Sequence, residues 1–368
     1  CLIVLIIVLC FVLSKKIFKG KIFRVLERVG GITVIGLSFI IIGQNFKAKS
    51  PDRQIPIPII TDAINLNNKY VLWQGNSATA NLKSLSFVWL RQVTGTIMEE
   101  PKGYSKQSLN KVIAKYEKRA EEINKERTNN ISNQTVIYIL SESLANPNRV
   151  PTVEVSKNPL PNIDSVKESQ SGGLMISNGY GGGTANMEAQ SLFGLPFINF
   201  GSSVNTIYTD VLPKMSYVPS ISDLFKNRIV IHPFSAQEYD RSIVYHKLAF
   251  NNFYALTGGT DKLKQQEYFG NYVSDKQAYS DTLEKIDAKK SQFINLITIQ
   301  NHVPWSVTSN HPDILTNSDA LSATENSDLI NYTNQISVTD KETQDFLNQL
   351  KKINKKITVV FYGDHLPG

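Results

Sequence analysis

Three short apolar runs, each ending on a residue that can carry charge or a proton, constrain this chain more than any other feature. Thr135-Val-Ile-Tyr-Ile-Leu-Ser141 leads into Glu142, Phe293-Ile-Asn-Leu-Ile-Thr-Ile299 leads to His302, and Ile357-Thr-Val-Val-Phe-Tyr362 leads into Gly363-Asp364-His365. Continuous β-prone runs of this length suit strands covered on both faces, as in a parallel or mixed sheet sandwiched by helices. In an open α/β sheet the loops at the carboxyl ends of the strands converge on one crevice, so these distant residues are expected to meet there. The alternation of strands with helical patterns continues from residue 134 to the end. It includes a helix over Ser327–Leu350 with Leu329, Tyr332, Ile336, Phe346 and Leu350 on its apolar side. An α/β class follows from that alternation.

Between the first two strands lies Gly179-Tyr-Gly-Gly-Gly-Thr184-Ala-Asn-Met-Glu188, followed by a helical run to Phe193. Successive glycines let a backbone approach an anion closely, and a hydroxyl at a helix N-terminus meets the positive end of the helix dipole. Thr184 is therefore placed as a nucleophile. Taken singly, a glycine-rich loop, a strand-end carboxylate and an Asp-His turn each have an ordinary structural reading; together they point to a site. Carboxylates with an imidazole suit manganese or zinc, and such an ion activates a hydroxyl at neutral pH.

In order along the chain, Ser141-Glu-Ser143, Tyr180-Gly-Gly-Gly-Thr-Ala-Asn-Met-Glu188, Thr298-Ile-Gln-Asn-His-Val-Pro-Trp305 and Tyr362-Gly-Asp-His-Leu-Pro367 resemble the lipoteichoic acid synthase-like phosphoglycerol transferases of the alkaline phosphatase/sulfatase superfamily. The resemblance covers the chain from about Gly103 onward. It implies a mixed, mostly parallel sheet sandwiched by helices. It also implies one manganese ion, or another divalent ion such as zinc or magnesium, on Glu142, Thr184, Asp364 and His365, with Thr184 as nucleophile. Ile229-Val-Ile-His232 reads as a further short strand ending on a histidine. By the same resemblance His232, Tyr239, Arg241 and His302 hold the glycerol phosphate headgroup, with His302 touching the phosphate or relaying a proton. Arginine suits the phosphate because its planar fork matches the oxygens. His246 and His311 fall outside these motifs and are read as surface or packing residues. Sulfatases of the superfamily use a cysteine where this chain has Thr184, so sulfatase chemistry is not expected.

The remaining sequence bears on location. Residues 1–46 hold two apolar segments, 1–13 and 29–46, around a basic loop with Lys15, Lys16, Lys19, Lys21, Arg24 and Arg28 against the single acid Glu27. The positive-inside rule makes that loop cytoplasmic and everything beyond Phe46 extracellular. The first segment is shorter than the roughly 20 residues that span a bilayer and is read as the end of a longer helix. The formal charge of +7 resides here: residues 1–53 hold nine Lys/Arg and two Asp/Glu of the chain's 39 and 32, leaving 30 of each in the remainder. That balance gives no support to nucleic-acid binding. Both cysteines, Cys1 and Cys10, lie in the first apolar segment, so the outer part is not a disulfide-stapled domain.

Residues 47–133 read as a juxtamembrane helical linker, with a helix from Ser105 carrying Leu109, Val112, Ile113, Tyr116, Ala120 and Ile123 on one face. Residues 134–368 read as the catalytic domain, incomplete at its C-terminus because Gly368 follows His365 by only three residues. The expected protein is a multi-pass, membrane-anchored extracellular transferase. It moves glycerol phosphate from phosphatidylglycerol to a glycolipid or glycopolymer acceptor of the lipoteichoic acid type in Gram-positive cell walls, through a phospho-threonine intermediate. A phosphodiesterase or phosphatase of the same superfamily would share every metal ligand. A non-catalytic envelope sensor or scaffold is the reading from a different class, and an activated threonine argues against it.

Overall fold

The computed structural model describes residues 25–47, 54–128, 131–201, 203–305 and 312–368. The first apolar segment, residues 14–24 of the basic loop, and His311 lie outside the described residues. The chain forms two compact units, Cys1–Glu99 with Ile198–Lys214, and Glu100–Phe197 with Met215–Gly368.

In the first unit the second apolar segment lies on one continuous helix, α1 (Val25–Lys47), and α2 (Leu85–Thr94) packs on its C-terminal half. Among the described residues no helix is long and apolar enough to cross a membrane. Asp210 ties residues 198–214 into this unit. Its carboxylate accepts a two-pronged ion pair from Arg91, 2.6 and 2.8 Å, and the backbone N–H of Asn205 at 2.8 Å. Arg91 is thereby drawn inward although it sits on a helix whose other face is apolar.

The second unit is built on a six-stranded sheet of β1 (Thr135–Ser141), β2 (Asn227–Ser235), β3 (Asn252–Thr257), β4 (Asp261–Lys262), β5 (Gln292–Ile297) and β6 (Ile357–Gly363). Their order is β6-β1-β5-β2-β3-β4, and every adjacent pair is parallel. Two small antiparallel ribbons lie apart from it. Its helices include α3 (Lys106–Glu126), α4 (Thr184–Phe193), α5 (Arg241–Lys247), α6 (Asp275–Glu284) and α7 (Ala323–Leu350), with a further short helix over Pro161–Ser169.

Successive side chains of a strand point to opposite faces, which divides the core in two. On one face Ile137, Ile139, Ile231, Ile294 and Leu296 pack against α6 and α7, where the Tyr279 and Phe346 rings stack at 4.6 Å. On the other, Tyr138 meets Phe293 at 5.1 Å, and Phe253 meets Tyr245 of α5 at 5.3 Å. Helices on both faces over a mostly parallel sheet match the expected fold. Two boundaries differ from the sequence reading. The last helix begins at Ala323 because Ser322 and Glu325 form a reciprocal capping box, so it starts ahead of the first periodic apolar residue. β2 continues to Ser235, so His232 sits inside the strand rather than at its end. Pro233 is accommodated where the pairing register shifts between His232 and Ser235. The helix expected from Ser105 is present with that serine as N-cap, but Leu109, Val112, Ile113 and Tyr116 on its apolar face are exposed.

A buried polar lock joins α6, α7 and the end of β5. The Asp275 N–H donates to Gln300 Oε1 at 2.9 Å, Thr339 Oγ1 donates to Asp275 Oδ2 at 2.6 Å, and Asn301 Nδ2 donates to Thr339 Oγ1 at 3.0 Å. Burial pushes the Asp275 carboxyl up from 3.8 to about 6. The folded protein therefore binds this proton more tightly than the unfolded chain. Its contribution to stability is complete below pH 4 and is lost as pH rises through about 6. Asp275→Asn keeps an acceptor for Thr339 and removes the charge, so it should flatten the fall in Tm over that window. At neutral pH it should raise stability by up to about 3 kcal/mol. Thermal unfolding of both proteins across the acid range checks this; an unchanged slope in the variant contradicts it.

Candidate active site

The register of β1 and β6 builds the centre of the site. Ser141 pairs with Gly363 in a parallel ladder, so the next residues, Glu142 and Asp364, emerge side by side at the same edge of the sheet. A Cβ on Gly363 would come within 2.2 Å of the Leu144 carbonyl oxygen, so only glycine permits this approach. On the other side of β1 the ladder with β5 runs through Leu140 and Ile297, which lets Thr298 Oγ1 accept the Glu142 N–H at 3.2 Å. Ser143, held in the left-handed region at φ 50, donates its N–H to Asp364 Oδ1 at 2.7 Å and its hydroxyl to Glu142 Oε1 at 2.8 Å.

One ligand atom each from Glu142, Asp364 and His365 lies within 4.8 Å of the others, and all three residues are buried. His365 Nδ1 donates to the Leu366 carbonyl at 2.9 Å, so in the neutral ring Nε2 is a bare lone pair. That lone pair faces Asp364 Oδ2 at 3.2 Å and Glu142 Oε1 at 3.7 Å, and Asp364 Oδ2 is buried with no hydrogen-bond donor. Of these three electron-rich atoms, Glu142 Oε1 accepts the Ser143 hydroxyl and His365 Nε2 lies 3.4 Å from the Thr184 hydroxyl, while Asp364 Oδ2 has no donor; lone pairs outnumber donors, and the cluster calls for a cation. Burial, with the Asp364 charge next in importance, holds the Glu142 carboxyl well above its usual range; burial also raises Asp364. Two carboxylates and an imidazole nitrogen fit one divalent ion of the manganese or zinc type.

Thr184 is the first residue of α4 and is buried, with Oγ1 3.4 Å from His365 Nε2. Its position depends on Gly181, Gly182 and Gly183, which all adopt positive φ, and on a lacing of the loop to the segment after β6. The Gly181 N–H donates to the Leu366 carbonyl at 2.9 Å, and the Ser177 hydroxyl donates to that of Asp364 at 2.5 Å. Glycine loop and Asp-His pair are thus held as one piece.

The residues expected to hold a headgroup fall into three settings. Arg241 opens α5 after two consecutive non-glycine residues at positive φ, Tyr239 and Asp240, and its guanidinium is stacked 4.8 Å from the Tyr239 ring. Its Nε and Nη2 are committed to Glu188, at 2.9 and 2.5 Å, in a pair whose side chains are 2% and 0% exposed. Burial pulls the Arg241 pKa down, but the Glu188 charge more than offsets it, and the net direction is up. His232 donates from Nδ1 to the Ile297 carbonyl at 3.0 Å; burial, followed by the Arg241 charge, lowers its pKa to about 3 and keeps it neutral. His302 is exposed beyond β5, with Nδ1 2.7 Å from the Val303 carbonyl and the Tyr272 hydroxyl 3.1 Å from that nitrogen. His246 is exposed on α5, as expected of a surface residue.

A sulfatase family model matches residues 134–368. This chain belongs to the sulfatase family. Among solved structures, the Streptococcus pyogenes phosphoglycerol transferase GacH in complex with sn-glycerol-1-phosphate is 50% identical, over 74% of this chain and 72% of that one, with a TM-score of 0.71. The lipoteichoic acid synthase LtaP from Listeria monocytogenes is 21% identical over 64% and 57%, with a TM-score of 0.47. A putative cyclic beta-1,2-glucan modification protein of Rhizobium meliloti is 25% identical over 243 residues, 63% of this chain and 35% of that protein. The chain therefore spans about a third of the length of that curated relative. The family anticipated from the four motifs is the family found.

Glu188 belongs to the quoted glycine motif, yet its position i+4 to Thr184 on α4 carried no role in the sequence reading. It accepts from Arg241 and from Tyr245 Oη at 2.9 Å, and Tyr245 Oη accepts from Asn295 Nδ2 at 2.7 Å. This network lay hidden because its members are far apart in sequence and none sits in a turn or at a strand end.

Two measurements test the site. Glu188→Gln leaves the Arg241 guanidinium buried without its counter-charge and should cost about 3–5 kcal/mol in chemical denaturation. Joined with Arg241→Met, most of that loss should return; additive losses in the double variant would mean the pair is not coupled. For the metal, the raised Glu142 and Asp364 pKa values mean that chelated protein loses stability as pH rises above the ordinary carboxylate range. Added manganese should restore it, so the gap in Tm between metal-loaded and chelated protein should widen from pH 5 to pH 8. A gap that is absent at every pH removes the metal assignment.

Proposed function

We propose that this chain is a divalent-metal-dependent transferase that moves glycerol phosphate from phosphatidylglycerol to a hydroxyl of a cell-envelope glycopolymer of the lipoteichoic acid type. The observation that carries the reading is the Thr184 hydroxyl, buried at a helix N-terminus 3.4 Å from His365 Nε2, in a chain 50% identical over 74% of its length to a phosphoglycerol transferase solved with sn-glycerol-1-phosphate. We further propose that the chain is a multi-pass protein of the cell membrane, with the basic loop inside and the catalytic unit outside, in a Gram-positive setting. That reading is supported by the charge asymmetry of residues 1–53 and by the uncharged stretch from Val29 to Phe46. It keeps the site beside a donor that cannot leave the bilayer.

A manganese or other divalent ion held by Glu142, Asp364 and His365, with Thr184 beside it, would supply positive charge that favours the ionised threonine hydroxyl and offsets charge on the phosphate. Thr184 Oγ1 attacks the phosphorus of phosphatidylglycerol, and the bond from phosphorus to the diacylglycerol oxygen breaks. Diacylglycerol leaves as the alcohol after taking up a proton, for which His302 is the assigned donor. The phosphoglycerol group remains on Thr184. An acceptor hydroxyl then attacks the same phosphorus, gives its proton to His302, and restores Thr184, as in other two-step covalent transfers. Arg241 meets Glu188 through Nε and Nη2, so phosphate oxygens would be met by Nη1. The Tyr239 ring, stacked on Arg241, and neutral His232 complete the headgroup pocket in this reading.

Thr184→Ala should leave the free energy of unfolding within about 1 kcal/mol of wild type after correction for lost metal affinity, and should abolish diacylglycerol release. Thr184→Ser should retain part of it. Acid quenching of wild-type protein with labelled phosphatidylglycerol should yield a peptide spanning Thr184 that carries one phosphoglycerol unit. Normal diacylglycerol release by Thr184→Ala would reject covalent transfer through this residue. Labelled peptide accompanied only by free glycerol phosphate, with no acceptor product, would favour a phosphodiesterase.

A further inference from the structure

Helix α2 is built inside out. Its polar side chains point into the first unit: Arg91 to Asp210, and Gln92 Nε2 to Asn76 Oδ1 at 3.1 Å. The residues it turns outward are Leu85, Trp89 and Val93, 75%, 58% and 63% exposed, at i, i+4 and i+8 of one helical face. Leu82, the last residue of the preceding helix Asn76–Leu82, is also exposed, at 63%. Residues 54–98 contain only four charged side chains, Asp62, Lys69, Lys83 and Arg91. Of these Arg91 is held by Asp210, and the Lys83 ammonium donates to the Ile64 carbonyl at 2.7 Å and to Asn68. A surface meant for water carries about a quarter to a third charged residues, and this one falls far below that.

What covers the stripe follows from what lies beside it. The C-terminal half of α1 packs on α2, with the Phe46 and Phe87 rings edge to face at 5.2 Å, and Asn45 of α1 is bonded in both directions to the Ile55 backbone at 2.7 and 2.9 Å. α1 itself exposes Ile32, Val34, Ile35, Leu37, Phe39 and Ile40, spacings that go all the way round the helix. A partner helix covers one face only; a helix apolar on every side is buried in a protein core or in hydrocarbon, and on the membrane-anchored reading α1 has the second setting. The outward stripe of α2 adjoins that helix, carries a tryptophan, and is uncharged, the composition of a segment seated at the headgroup boundary of a bilayer.

We infer that the outer face of α2, Leu85 with Trp89 and Val93, is a lipid-docking surface that lies in the bilayer interface next to the end of α1. This rests on the membrane-anchored reading and adds a second, peripheral contact to it. The test uses the full chain in vesicles of phosphatidylcholine and phosphatidylglycerol, with and without bromine on the acyl chains near the glycerol backbone, and compares wild type with Trp89→Phe. Trp89 is exposed and outside the catalytic machinery, so the variant folds and serves as the blank. Brominated vesicles should cause roughly a twofold loss of the Trp89-dependent emission, and acrylamide in the water should quench it little, as expected for an indole at the headgroup level. Vesicle flotation separates the failures. If the protein floats with the vesicles and Trp89 is reached by acrylamide but not by bromine, the docking surface is refuted and the anchor stands. If it floats and neither reagent reaches Trp89, a second copy or another segment of the chain covers the stripe, which also refutes it. If it does not float, the anchored reading fails and takes this inference with it.

Discussion

Everything at the candidate site depends on the repulsion built into one edge of the sheet. Parallel pairing of Ser141 with Gly363 puts Glu142 beside Asp364, and the following His365 turns a bare nitrogen toward both. Neighbouring strands are separated by about 4.8 Å, so two carboxylates at the same register cannot avoid one another. A folded protein tolerates this only when the charges are neutralised by protons or by a cation. The surrounding hydrogen bonds direct the second outcome. The Ser143 N–H and the His365 N–H both donate to Asp364 Oδ1, which leaves Oδ2 directed at the cluster. The left-handed Ser143 is the strained residue that makes the first of those bonds, and strain of that kind is held in place by structure built around a site.

A second buried charge problem is solved without an external ion. Glu188 and Arg241 neutralise each other, Tyr245 donates to the second Glu188 oxygen, and Asn295 donates in turn to the Tyr245 hydroxyl. The pair joins α4, which carries Thr184 one turn earlier, to α5, which Arg241 begins. The N-terminus of α4 and the Arg241 guanidinium are therefore fixed to one another by a single interaction. Two charges removed from water rarely stabilise a fold on balance, so the geometry they impose is the better reason for their presence.

The sheet and the candidate metal cluster were legible in the sequence, and the reason is physical. β1 and β6 are uninterrupted β-prone runs, and the residue that follows each, Glu142 or Asp364, belongs to the cluster, so composition changes at the position where the candidate site begins. His232 was harder because Pro233 resembles a strand terminator; only the register shift in β2 lets the strand run on to Ser235. The setting of Arg241 was half legible. Its charge and its neighbour Tyr239 stand out in the sequence, whereas its commitment to Glu188 depends on a contact across 53 residues. The tie between Asp210 and Arg91 spans 119 residues and draws residues 198–214 into the first unit, with no local signal of any kind.

Periodicity has a further limit that two helices make plain. A stripe of apolar residues at helical spacing fixes which residues share a face, but it is silent on whether protein, lipid or water lies against that face. In α3 the apolar stripe is open, while the opposite side is a mixture of Lys and Glu. In α2 the apolar residues sort into two sets. Phe87 turns inward to α1, while Leu85, Trp89 and Val93 turn outward, and the polar Arg91 and Gln92 turn inward with Phe87. The usual arrangement of a surface helix, apolar side in and polar side out, is thus reversed over part of its length. Reversal requires that the inward polar groups be fully partnered, since an unpaired guanidinium there would cost several kcal/mol. Asp210 meets that requirement from the far end of the sequence, and so the ion pair that closes the first unit is also what frees the outer face of α2 to be apolar.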